Sequence, residues 1–200
     1  RLGYLSGDKD GVCRPVDADP VPVPWAATPT VQMLLSMYLL DGSPFWGDPR
    51  HALARVIGRF DELGLRPVVA LETEFYLIDP KLDEHGRPAL VCNPVTGRTQ
   101  RETQVYSIQE IDDFAPIFDA IAAAAAAQGL PADSAVAEYA PGQFEVNLRH
   151  VDNPLLACDQ LVLLRRLIRG VARQHGLDAT FMAKPFAGLA GSGLHAHVSL

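Results

Sequence analysis

The sequence predicts a mixed helix-and-strand domain whose strands turn polar groups to one side and apolar groups to the other. Three segments carry this reading: residues 70–76 (Ala-Leu-Glu-Thr-Glu-Phe-Tyr), 138–145 (Glu-Tyr-Ala-Pro-Gly-Gln-Phe-Glu) and 191–197 (Gly-Ser-Gly-Leu-His-Ala-His). Between them run amphipathic stretches long enough to cover a sheet. The order strand, helix, strand, helix, strand leaves both α/β and α+β architectures open at this level. Three strands with polar inner and apolar outer faces suggest a barrel-like channel rather than a flat solvated sheet.

The elements follow in chain order. Pro20, Pro22, Pro24 and Pro29 forbid long regular structure before Thr30. Val31, Leu34, Leu35, Tyr38 and Leu39 then recur at helical spacing and predict a helix, ended by Gly42, Ser43 and Pro44. Asp48-Pro49 is a cap followed by proline at the first helical position, and opens a second helix. Its buried stripe is predicted to be Leu53, Val56, Ile57 and Phe60, with Gly64 closing it. A strand is expected over 66–79 and a long loop over 80–104, where Pro80, Gly86, Pro88, Pro94 and Gly97 fall among polar residues. Residues 108–129 predict a helix ending in an alanine run, with Pro116 in its first turns or bending it. Asn153-Pro154 opens another helix that reaches Gly176, with Leu156, Leu163, Leu164, Leu167 and Val171 as its apolar positions.

Composition narrows the functional classes. The 200 residues are 48% hydrophobic and 20% charged, which suits a packed core rather than disorder. A net charge of −7 argues against nucleic acid and anionic membrane as partners. Cys13, Cys92 and Cys158 are odd in number and lack metal-type spacing, and no signal peptide or membrane-length apolar run is visible. These features point to a cytoplasmic protein. Arg1 in first place and an apparent strand over 194–200 at the other end suggest a piece of a longer chain.

The chemistry lies in the three strand segments. Residues two apart on a strand point the same way, so Glu72 and Glu74 share a face opposite Val69, Leu71, Thr73, Phe75 and Leu77. Two adjacent carboxylates repel and call for a cation or raised pKa values. His195, His197 and Ser199 share a face in the same way, opposite Leu194, Ala196, Val198 and Leu200, which are expected to face the core. Glu138 and Glu145 have an odd separation, but Pro141-Gly142 breaks the strand and lets both turn to one side. Gln143, Glu145, Asn147 and Arg149 then oppose Phe144, Val146 and Leu148. Each pair alone is compatible with a solvated strand face. Together, four carboxylates and two imidazoles make a ligand set for magnesium or manganese, used for phosphate or carbonyl chemistry by a hydrolase or a ligase.

The three segments resemble the glutamine synthetase superfamily in wording and order. Pro24-Trp25, Asp41-Gly42, Asp48-Pro49-Arg50, residues 75–79, residues 103–106 and residues 181–185 resemble its glutamate–polyamine ligase branch. The resemblance implies an α+β fold: an antiparallel barrel-like catalytic sheet flanked by helices. Residues 48–200 would be the first half of that domain, and 1–47 the tail of a β-grasp domain with its linker. It also implies an ATP-dependent ligase joining the γ-carboxylate of glutamate to an amine, putrescine or a related polyamine, through γ-glutamyl phosphate. ATP and two or more Mg2+ or Mn2+ ions would be the cofactors, and hexameric rings or dodecamers the assembly.

The same resemblance implies residue roles. Glu74, Glu138 and Glu145 would hold one metal, and Glu72 and His195 the second. His197 and Ser199 would contact ATP, and Gly191 the glutamate. Glu138 and Tyr106 would act in catalysis, Tyr106 near the amine pocket. Further phosphate and metal ligands of the family would follow Leu200, so residues 1–200 alone are expected to be inactive. The chain departs from the pattern at Ala190, where glutamine synthetases carry asparagine before the glycine. A true glutamine synthetase using ammonium and a non-catalytic binding or structural relative are the alternatives, the latter disfavoured by the intact ligand-type residues.

Overall fold

The computed structural model describes residues 10–82 and 84–200; the first nine residues of the expected lead-in region, and Asp83 in the expected loop, lie outside the described residues. The described elements are β1 (Val12–Pro15), β2 (Val21–Pro22), β3 (Val31–Gln32), β4 (Leu35–Tyr38), α1 (Pro49–Glu62), β5 (Val68–Asp79) and β6 (Ala89–Leu90). They continue with α2 (Ile108–Asp113), α3 (Ala115–Ala127), β7 (Ala132–Ala137), β8 (Gln143–Leu148), α4 (Pro154–Gln174), β9 (Asp178–Thr180) and β10 (Leu194–Ser199).

The main sheet is antiparallel, in the order β10-β5-β8-β7, with β6 and β9 pairing on the end of β5. It curls into an open half-barrel, in keeping with the expected antiparallel barrel-like sheet flanked by helices. One face is apolar and packs under α3 and α4. Phe75, Leu77, Phe144, Leu164, Leu167, Ile168 and Val171 are all at most 1% exposed there. Phe144 is the hub, with ring centroids 4.9 Å from Phe118, 5.2 Å from Phe114 and 6.3 Å from Phe75. The helix starts follow their caps. Asp48 accepts from the Arg50 N–H at 2.8 Å, and Asn153 accepts from the Leu156 N–H at 3.1 Å. Arg50 and Asp159 form a two-pronged ion pair that ties α1 to α4.

Several expectations are corrected. The helix expected around Val31–Leu39 is two short strands, β3 and β4. β4 pairs with β1, and the Asp48 side chain accepts from the Met37 N–H at 2.7 Å, so long-range pairing overrides the helical spacing. The stripe on α1 is only half-buried, and Val56 is exposed, because α1 packs at the edge of the core rather than inside it. The helix expected over 108–129 is two helices, α2 and α3. Their chain breaks at Phe114, since Pro116 has no N–H to continue the α2 ladder. Leu156 on α4 is exposed because it faces away from the side of the helix on which Pro154, Ala157 and Leu161 are buried. The apolar face of β10 is also open: Leu194, Val198 and Leu200 are exposed because β10 is the sheet edge, with nothing packed on that face among the described residues. β7 and β9 are additional strands that periodicity did not indicate.

Candidate active site

The polar face of the half-barrel gathers the expected ligand residues by register. His195 lies directly opposite Glu72 across the β10–β5 pair, and Glu145 directly opposite Glu74 across the β5–β8 pair. Directly opposed residues put their side chains on the same face about 5 Å apart, so two strand pairings place four ligand-type groups in one patch. His195 Nδ1 sits 3.3 Å from Glu72 Oε2 and 3.7 Å from Glu145 Oε2, while its Nε2 is 3.9 Å from Glu74 Oε1. His197 Nε2 lies 3.1 Å from Glu72 Oε1. One donor atom each from Glu72, Glu145 and His195 fall within 4.8 Å of one another.

Glu138 joins from the turn between β7 and β8. Its N–H donates to the Gln143 carbonyl at 2.7 Å, across a reversal that Gly142 makes at φ +71°. Burial, then the charges of Glu74 and Glu145, push the Glu138 carboxyl above its ordinary range. Burial, then Glu72, do the same to Glu145. Carboxylates crowded this way relax when a cation enters. The donor set of carboxylate oxygens with imidazole therefore fits hard divalent ions.

A loop between β9 and β10 closes one side of the patch. Tyr76 is fully buried and donates its hydroxyl to the Ala190 carbonyl at 2.7 Å, and burial, then the nearby Glu74 charge, push its pKa up to about 12. The Gly193 N–H donates to Glu74 Oε2 at 3.0 Å. A Cβ at Gly193 would lie 2.9 Å from both Glu74 Oε1 and His195 Nε2, so a side chain there would push two of the ligand-type groups from their places.

Two expected residues stand apart from this patch. Ser199 follows His197 on β10 and is exposed opposite Val68. Tyr106 is 67% exposed and makes no side-chain hydrogen bond among the described residues. Its backbone N–H donates to the Ala137 carbonyl at 3.1 Å, next to Glu138, and its φ of 55° is rare outside glycine.

Sequence reasoning missed three supporting residues. Gln143 was legible only as one more polar residue on the Glu145 face. Tyr76 was legible as part of the strand, without its partner. Glu110, on α2, is 2% exposed and accepts from the Gly142 N–H at 2.9 Å, so it clamps the turn that carries Glu138. No motif marks it. Burial pushes the Glu110 carboxyl up, the Gly142 N–H opposes that, and Asp113 adds to it. A native pKa above the unfolded value favours the folded state most at low pH and withdraws that support as pH rises through the raised pKa. Glu110→Gln keeps an acceptor for Gly142 and removes the charge. It is expected to melt higher than the parent at about pH 7.5 and close to the parent at about pH 4, a difference set by the linkage. Thermal melts at both pH values check this; a variant less stable at the higher value contradicts it.

The family description "Glutamine synthetase, catalytic domain" matches residues 46–200. The chain is 45% identical over 201 residues to the gamma-glutamylputrescine synthetase PuuA of Escherichia coli (strain K12), covering 100% of this chain and 42% of that protein. It is 34% identical over 187 residues to a glutamine synthetase of Staphylococcus aureus (strain MW2), covering 88% and 38%. Among solved structures, a GmaS/ADP complex superposes with a TM-score of 0.83 at 27% identity, covering 99% of this chain and 43% of that one. The chain belongs to the glutamine synthetase family. It spans less than half the length of these relatives. No helix among the described residues is long and apolar enough to cross a membrane.

Proposed function

We propose that the parent protein is an ATP-dependent ligase that joins the γ-carboxylate of glutamate to a small amine, putrescine or a related polyamine. The observation that carries this is the convergence of Glu72, Glu74, Glu145 and His195 on one sheet face, with Glu138 on the adjoining turn within reach of their charges, in a chain 45% identical to a gamma-glutamylputrescine synthetase. In this reading Glu74, Glu138 and Glu145 hold one divalent ion, and Glu72 and His195 a second. Bound there, the ions would neutralise charge that builds on phosphate oxygens during transfer.

The protein's own groups do the rest. Glu138, carried on the turn that Glu110 clamps, is suited by its place beside the metal ligands to take a proton from the attacking amine. Gly191 offers main-chain contacts to glutamate, and His197 and Ser199 lie along the strand toward ATP. Tyr106, bonded through its main chain to Ala137 at the end of β7, would border the amine. Glutamate's carboxylate is activated as γ-glutamyl phosphate, the amine nitrogen displaces phosphate, and the amide remains.

Residues 48–200 serve in this reading as the first half of the catalytic domain and residues 1–47 as the tail of a preceding β-grasp domain. The family match beginning at residue 46 supports that division. The active form would be a cytoplasmic homo-oligomer of hexameric rings, and residues 1–200 alone would lack activity.

An amine panel tests the substrate. The full-length protein is expected to release ADP from ATP and glutamate with putrescine at least about tenfold more efficiently than with ammonium, the order of discrimination that contacts to an added methylene supply. Ammonium as the best acceptor would move the assignment to a glutamine synthetase. Manganese binding without turnover on any amine would favour a non-catalytic relative.

A further inference from the structure

Gln143 is 1% exposed and spends its whole side-chain amide on three separate segments. Its Nε2 donates to Glu74 Oε2 at 2.9 Å and to the Gly191 carbonyl at 2.9 Å. Its Oε1 accepts from the Ala140 N–H at 3.2 Å. Both partners of Nε2 are pure acceptors, so chemistry settles which end of the amide faces them. Glu74 is a candidate metal ligand, Gly191 the candidate glutamate contact, and Ala140 lies in the turn that carries Glu138. Space around the loop is tight: a Cβ at Gly191 would lie 2.7 Å from the Ala183 carbonyl.

We infer that Gln143 is a positioning residue that couples the metal site to the amino-acid site, through one nitrogen that holds the Glu74 carboxylate and the Gly191 carbonyl together. The inference rests on the ligase reading above and deepens it. Glu74 stands directly opposite Glu145, and like charges at that spacing drive the two carboxylates apart. The Gln143 donor, with the Gly193 N–H, keeps Glu74 turned toward the metal position. The other hydrogen of the same nitrogen sets where the 190–193 loop presents its main chain. Metal affinity and glutamate affinity therefore share one hydrogen-bond donor. A carboxylate at 143 could not serve, because when ionised it only accepts.

The test uses the full-length protein with manganese alone as the metal probe. Gln143→Met keeps length and apolar bulk but removes both donors. It is expected to raise the manganese concentration that gives half-maximal thermal stabilisation by roughly tenfold, the usual scale for losing a ligand's supporting partner. The KM for glutamate should rise by a similar factor, with the KM values for ATP and amine within about twofold of the parent. Gln143→Asn, one methylene too short for either acceptor, should shift both quantities the same way and covers the case in which the Met variant does not fold. In a Glu74→Gln background the Met substitution should add little further loss of manganese binding, since its effect on the metal runs through Glu74.

Lower melting temperature with unchanged manganese response and glutamate KM would make Gln143 a packing residue and overturn the inference. Loss of manganese response undiminished by the Glu74→Gln background would overturn it too. A parent showing neither manganese-dependent stabilisation nor glutamate-dependent ADP release would sink the ligase reading, and with it this one; a parent showing both beside indifferent variants sinks only the coupling.

Discussion

Glu74→Gln in the full-length protein is expected to remove most of the manganese-dependent rise in melting temperature. The parent should gain about 2.7 kcal/mol at a hundredfold excess of metal over its Kd. Each tenfold loss of affinity takes about 1.4 kcal/mol from that gain. Glutamine is the informative replacement because Glu74 Oε2 accepts from both Gln143 and Gly193. Alanine would leave those two donors without a partner, at about 1–3 kcal/mol each, and would mix loss of a ligand with loss of the loop anchor. Differential scanning with and without manganese decides the matter: equal metal-dependent gains in parent and variant would show that Glu74 is no ligand.

Phe144→Ala should produce the largest loss of stability, about 3–5 kcal/mol. The ring is fully buried, and three phenylalanine rings lie against it on β5, α3 and the α2–α3 junction. Edge-on ring pairs add to the transfer term. Because Phe144 sits between Gln143 and Glu145, a cavity on the apolar side also loosens the backbone that aims both polar neighbours. Chemical denaturation should show a lower midpoint with an unchanged slope. A loss below about 1 kcal/mol would mean that α3 closes over the gap.

The site is more legible in the sequence than the scaffold around it. Alternation along a strand is rigid, so Glu72 with Glu74, and His195 with His197, can be assigned to shared faces without coordinates. Their meeting depends on register, which only the β10–β5 and β5–β8 pairings supply. The lead-in region misleads because positions 31, 34, 35, 38 and 39 suit a helix while 31, 33, 35, 37 and 39 suit a strand. A partner strand some twenty residues earlier decides between them. β7 and β9 are short and carry no strong alternation. Gln143, Tyr76 and Glu110 act through partners distant in sequence, so no local pattern reveals them.

The 190–193 loop is fastened by its main chain. Ala190 and Gly191 each give a carbonyl, one to Tyr76 and one to Gln143, and neither anchor involves the side chain at 190. That position is therefore open to drift: a larger or more polar residue there alters what the loop displays without relocating it. What position 190 displays and where the loop lies are thus set by different atoms, the side chain for the one and the main chain for the other.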